Sequence, residues 1–296
     1  MASVLLVSNR GDGIPLALRM VNEGHIVKVS IQDKRAKRSL KGFKNPSLVS
    51  SPKMLDQYDL VLYDMTGMGQ QADQMKQSGR FVMGGGMFND RLELDPEYGK
   101  KVAGKLLKVK LSQGPELGVD INAEGWFNGE EFCCFNHSVD YTRLMDEDKG
   151  PVTQCMGTAV WCTQEESNEI IKRVLTPLTP LLQKVNYLGP ISVDCLCTEA
   201  DIYFKGFAPR LKYDAIQALT ELIQVDLFDY LWQVVNQEQV KMKDDWSISV
   251  KLIMLPFVTK DANQLDQLQG LQVLDIPKPA RRHVMLSDVM KQDDVE

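Results

Sequence analysis

Between Gly189 and Leu219 the chain reads GPISVDCLCTEADIYFKGFAPRLKYDAIQAL. Ile191 to Cys197 alternates and is rich in β-formers, Glu199-Ala200-Asp201 supplies a turn, and Ile202 to Phe207 returns. Pro209 ends the second strand, and Asp214 opens a helical run. A hairpin that runs straight into a helix is the frame about which the rest of the chain is read.

Upstream, apolar strands alternate with helices. Ser3 to Val7 is a strand that runs into Ser8-Asn9-Arg10-Gly11-Asp12-Gly13, and Ile14 to Glu23 then has helical periodicity. Backbone N–H groups at such a turn can hold a phosphate, although Pro15 and two glycines also make an ordinary strand-to-helix turn. His25 to Ile31, Asp59 to Asp64 (with an acidic end) and Arg80 to Gly84 read as further strands, with a polar helix over Gly69 to Ser78. This alternation predicts a parallel sheet with covered faces. A helix is expected over Asp95 to Leu107, and a hairpin turning at Asn128-Gly129 follows within Gly118 to Val139. Thr163 is expected to cap a helix that runs to Val185 with bends at Pro177 and Pro180. Helices are expected over Asp214 to Leu222 and Leu227 to Gln237, and a long strand over Trp246 to Pro256.

Composition narrows the function. The chain has 296 residues, 44% hydrophobic and 25% charged, with a net charge of −6, so bulk electrostatics does not recommend nucleic acid. Lys34, Arg35, Lys37, Arg38, Lys41 and Lys44 form one basic cluster, either a solvated face or a weak polyanion contact. No apolar run is long enough to span a bilayer, and MASVLLVSNR reads as a buried strand rather than a signal peptide. Cys133, Cys134, Cys155, Cys162, Cys195 and Cys197 form no CxxC pair, and His25, His137 and His283 are not spaced with them as zinc ligands. Buried free thiols in a reducing compartment, cytoplasmic or otherwise intracellular, are the expectation.

The hairpin and helix resemble the core of the ATP-grasp ligases, in particular phosphoribosylamine–glycine ligase. The resemblance implies a Glu-x-Asn pair on the second strand that holds magnesium, followed by Arg-Phe-Gly-Asp. Aligned on Arg210, this chain has Gly206 and Ala208 at the two ligand positions, Leu211-Lys212 in place of Phe-Gly, and one extra residue before Asp214. Magnesium requires hard oxygen ligands, and glycine and alanine bring none. Asp148 to Gly157, DKGPVTQCMG, resembles the family's substrate-holding loop. Asp148, Gly150, Pro151, Thr153, Met156 and Gly157 match, while Val152, Gln154 and Cys155 depart. At the first turn the likeness extends only to Gly11 and Gly13, and Asp194 is the carboxylate left on the first strand of the hairpin. These residues are the vestigial substrate-binding set. Gly206, Ala208, Arg210 and Asp214 mark ancestral catalytic positions.

The resemblance predicts α/β plus α+β architecture: a Rossmann-like pre-ATP-grasp domain followed by the C-terminal half of an ATP-grasp core. The expected divisions are 1–95, a connector over 96–117, the core half over 118–245, and a truncated β-rich segment over 246–296. Lys108 to Gly118 occupies the place of a whole ATP-binding subdomain with its phosphate-gripping lysine. The expected function is therefore binding, assembly or a structural role without catalysis, with no cofactor. A protein partner or self-association goes with it, and a compact viral lineage with a virion role falls within the same reading. The alternative is an ATP-dependent carboxylate–amine ligase using MgATP, its lid supplied by a partner subunit.

Overall fold

The computed structural model describes residues 1–36, 39–50, 57–115, 117–164, 168–253 and 276–286. The first half is a five-stranded sheet of β1 (Ser3–Ser8), β2 (Ile26–Ile31), β3 (Ser47–Leu48), β4 (Leu60–Tyr63) and β5 (Phe81–Met83), with α1 (Ile14–Asn22) and α2 (Gly69–Gln77). Strand order is β3-β2-β1-β4-β5, every pair parallel. Val4 to Val7 and Leu60 to Tyr63 are fully buried, as central parallel strands covered on both faces require. The chain leaves β1 for β2 on one side and returns to β4 on the other, which puts a crevice at the carboxyl ends of β1 and β4. The two-residue β3 is an addition to the strands expected from sequence.

The helix expected from Asp95 is preceded by another. α3 (Met87–Leu94) stops at Asp95, whose side chain accepts a hydrogen bond from Tyr98 N at 3.0 Å and so starts α4 (Pro96–Leu106). From there the chain crosses residues 107–118 without a helix or a strand among the described residues. Lys110 lies along the outer strand of the next sheet, its N–H donating to Ile202 O and its carbonyl accepting from Phe204 N.

That sheet is antiparallel and six-stranded: β6 (Val119–Phe127), β7 (Phe132–Arg143), β8 (Val152–Thr163), β9 (Gly189–Cys197), β10 (Ile202–Ala208) and β11 (Trp246–Val250), in the order β10-β9-β6-β7-β8-β11. Asn128 forms the first hairpin turn by accepting from the N–H groups of both Glu130 and Glu131. The sheet's two faces differ. Ala123, Ile191, Val193 and Cys195 bury an apolar face under α4, α5 (Glu169–Val174) and α6 (Thr179–Lys184). Asn122, Glu124 and Trp126 alternate onto the opposite face. There Trp126 packs edge-on to Tyr230, in a core shared with α7 (Tyr213–Leu219), α8 (Leu227–Val235) and the first sheet.

Several boundaries correct the sequence expectation. Thr163 ends β8, and the helix after it starts instead at Asn168, whose side chain accepts from Ile171 N. The long helix to Val185 is two short ones joined by a 3₁₀ turn over Thr176–Leu178, because Pro177 and Pro180 each begin a new turn. The strand from Trp246 ends at Val250, and residues 254–256 lie outside the described residues. Lys278–His283 is a 3₁₀ turn. Val152 to Gly157, expected as loop, belongs to β8, because Gly157 pairs with Tyr141 on one side and Val250 on the other.

One contact ties α8 to α1. Asp226 sits at the N-cap of α8 but makes no capping bond. Glu23 takes that role from across the chain, accepting from Leu227 N (2.9 Å) and Phe228 N (3.2 Å). Glu23→Ala should therefore lower stability in urea by about 1–2 kcal/mol, and Asp226→Ala by distinctly less.

Candidate functional site

The turn from β1 to α1 sits at the crevice between β1 and β4. Gly11 has φ +94°, and a Cβ there would lie 2.7 Å from Ile14 Cδ1. A Cβ at Gly13 would lie 2.7 Å from Asp64 Oδ2. The N–H groups of both glycines are occupied from within: Gly11 donates to Ser8 Oγ at 2.8 Å and Gly13 to Asp64 Oδ2 at 2.7 Å. The donors that could have met a phosphate meet a hydroxyl and a carboxylate of the chain itself. Asp64's other oxygen is sealed from solvent and lacks a hydrogen-bond partner. Burial pushes this carboxyl up to about 7, against the pull of Ser8. Asp12 is also raised by burial, while Arg10, Arg210 and Lys251 draw it back.

Arg210, on the loop between β10 and α7, and Asp214, in the first turn of α7, face this turn. Arg210 Nε donates to both oxygens of Glu93 on α3, at 3.0 and 3.1 Å. Asp214 pairs with Lys251 at 3.1 Å. Between them, Lys212 turns back over the sheet and places its ammonium 2.9 Å from Asp194 and 3.8 Å from Asp140. The loop change read from sequence thus inserts a cation among carboxylates.

Two rows of side chains cross the sheet beneath it. Gly206, Asp194, Asn122 and Ser138 are register partners across β10, β9, β6 and β7. Ala208, Ser192, Glu124 and Asn136 form the next row. Asn122 Nδ2 donates to Ser138 Oγ at 3.1 Å and to Asp140 Oδ2 at 2.9 Å. Glu124 is 3% exposed, and burial raises its carboxyl to about 7, with Lys212 opposing. Gly206 and Ala208 stand at the head of these rows and contribute no side-chain oxygen. A magnesium ion does not fit this donor set. Asp194 and Asp140 are already matched by Lys212, and no group of three or more metal-ligating side chains exists among the described residues.

The residues of the Asp148 to Gly157 motif are divided. Asp148, Gly150 and Pro151 lie at the exposed tip between β7 and β8, where Arg143 donates to Gly150 O. Thr153 donates to Thr142 O near that tip. Met156 and Gly157 are further along β8. Their neighbour Cys155, whose thiol burial pushes up to about 12, feels the charges of Asp214 and Asp140 and so borders the charged cluster. The first and last parts of this motif therefore occupy different places.

In the basic cluster, Lys34, Lys41 and Lys44 are exposed, while Lys37 and Arg38 and the side chain of Arg35 lie outside the described residues. All six cysteines are free thiols. A cavity of about 680 Å³ lies away from the charged cluster, bordered by Arg19, Glu23, Glu221 and His283. No described helix is long and apolar enough to cross a membrane. Sequence reading missed Asp64, Glu93, Glu124, Asp140 and the role of Lys212. The acidic end of DLVLYD and the Asn-x-Glu alternation in VDINAEGWF were the available signals.

No protein-family model matches the chain. It is 22% identical to phosphoribosylamine–glycine ligase of Caldanaerobacter subterraneus subsp. tengcongensis over 158 residues, which are 52% of this chain and 38% of that ligase. The crystal structure of phosphoribosylamine–glycine ligase from Thermotoga maritima aligns over 84% of this chain and 79% of that one, with a TM-score of 0.63 at 14% identity. The phosphoribosylaminoimidazole carboxylase ATPase subunit from Aquifex aeolicus aligns over 84% and 82%, with a TM-score of 0.56 at 12% identity. The fold is ATP-grasp-like, and the likeness to phosphoribosylamine–glycine ligase holds in sequence and in structure.

The two raised carboxyls set a pH dependence. Their ordinary values are 3.8 and 4.5, and both sit at about 7 in the fold. Between roughly pH 4 and pH 7 the unfolded chain binds fewer of these protons than the folded chain, so their contribution to stability falls as pH rises. Asp64→Asn with Glu124→Gln should remove that decline. Stabilities from urea unfolding should place the double variant above wild type by several kcal/mol at pH 8 and close to it near pH 4.

Proposed function

We propose that this chain is a non-catalytic relative of phosphoribosylamine–glycine ligase that works through binding or assembly. The observation that carries the reading is the internal matching of charge at the ancestral positions. Arg210 is held by Glu93, Asp214 by Lys251 and Asp194 by Lys212, and the Gly13 N–H is held by Asp64. Phosphoryl transfer rests on positioning and on charge stabilisation of the phosphates. Groups already paired with one another would have to be released before they could serve either purpose. The short connector over 107–118 supports the same reading, since it supplies no lid. Trp246, Ile248 and Val250 are each more than half exposed along β11, at the end of the sheet order among the described residues. Such an apolar strand suits a protein contact.

The second reading is an ATP-dependent carbon–nitrogen ligase with MgATP as cofactor and a lid from a partner subunit. It is favoured by the enzymes that share the fold and by the retention of Arg210 and Asp214. Calorimetric titration of the pure chain with MgATP, beside a size-resolved mass measurement, separates the two. No saturable heat with a defined oligomer is expected. Binding in the micromolar range, about 8 kcal/mol, or ADP formation with glycine and an amine acceptor would sink the non-catalytic reading.

A further inference from the structure

We infer that the Lys212 ammonium is a built-in cation that closes the Asp194–Asp140 carboxylate pair to divalent metal ions. Lys212 leaves the chain four residues after Ala208, between the buried anchor Leu211 and the start of α7. Its side chain is 16% exposed, so its stem is packed and its charge is directed into the protein rather than into solvent. The ammonium has one close carboxylate, Asp194 at 2.9 Å, and a second, Asp140, at 3.8 Å. Asp140 is in turn positioned by the Asn122 amide. Glu124 lies within the electrostatic reach of the same ammonium.

The surroundings have the anionic character of a divalent-ion site, and the positive charge comes from the chain. Space is not what excludes a metal ligand. A Cβ built on Gly206, directly across from Asp194, meets nothing within 4 Å. An oxygen-bearing side chain could stand there, and the chain has a glycine. The ammonium balances charge with one hydrogen-bonded carboxylate and a second at ion-pair distance, and it is held there by its own tether. A divalent ion would need the volume that the ammonium fills, with water completing the oxygen set that the two carboxylates begin and an added carboxylate strengthening it.

The inference goes beyond the proposed function, because it concerns divalent ions at one carboxylate pair and is independent of nucleotide. Mn²⁺ is the probe, read by the loss of its free-ion electron paramagnetic resonance signal. Wild type should take up no stoichiometric Mn²⁺ at sub-millimolar concentrations. Lys212→Ala should gain about tenfold or more in Mn²⁺ affinity, and adding Gly206→Glu should strengthen it further by raising the ligand charge. Adding Asp194→Asn to Lys212→Ala should abolish the gain. If Lys212→Ala does not fold, Lys212→Met keeps most of the packed stem without the charge and should show the same direction of change. Stoichiometric Mn²⁺ uptake by wild type that Asp194→Asn removes, or folded Lys212 variants with no gain, would overturn the inference. MgATP binding by wild type without Mn²⁺ uptake at Asp194 would defeat the non-catalytic reading and leave this one standing.

Discussion

The hold of Glu93 on Arg210 fixes the relation between the two sheets. Arg210 begins the loop after β10, and Glu93 lies on α3, a helix of the first half. Asn89, one turn earlier on that helix, donates to Pro209 O at 2.6 Å. Two side chains at i and i+4 thus clamp two consecutive residues of the loop. A guanidinium–carboxylate fork is directional as well as strong, so it sets an angle and not only a distance. The backbone approaches closely at the same place, where a Cβ on Gly84 would come within 3.9 Å of Arg210 Cα. With that loop in position, Lys212 meets Asp194 and Asp140 on the sheet, and Asp214 meets Lys251.

This local economy explains how a polar interior is tolerated. Burying a charge is unfavourable unless a partner of opposite sign comes with it. Arg210, Lys212 and Asp214 each have such a partner. At Asp64 and Glu124 desolvation outweighs the nearby cations, Arg210 and Lys212 respectively, and these carboxyls hold protons more tightly. Helix starts are treated in the same way. Asp90 accepts from the N–H groups of Gly67 and Gly69 before α2, as Asp64 does before α1 and Glu23 does before α8. Places where a helix dipole would welcome a foreign anion are filled by carboxylates of the chain.

Much of the architecture was legible in the sequence because its signals are local. The apolar runs at Val4–Val7 and Leu60–Tyr63, the Asn128 turn and the Pro209 stop each need only their neighbours to be read. Boundaries were lost where two residues competed for one role. Thr163 and Asn168 are both good caps, and the extension of β8 through Thr163 decided between them. The matching of Gly206 with Asp194 and Asn122 depends on register across three strands, and Asn122 and Asp194 are far apart in sequence. The loss of oxygen ligands at Gly206 and Ala208 was visible from the family resemblance once the chain was aligned on Arg210. That Lys212 supplies a charge there was not, because its rotation toward the sheet depends on the clamp from α3.

The order of strands in the second sheet has a consequence for assembly. β6, β7 and β8 are successive neighbours, and so are β9 and β10, so each set can close through short connections. The join between the sets is β6 against β9, which brings together residues on either side of the whole segment from 128 to 188. Such a non-local closure is the slow kind. The charged row crosses this join: Asn122 belongs to the piece synthesised first, Asp194 to the piece synthesised later, and Lys212 to the turn that follows both. The seam is therefore fastened by a side chain that is added to the chain only after the strands on both sides of it have been synthesised.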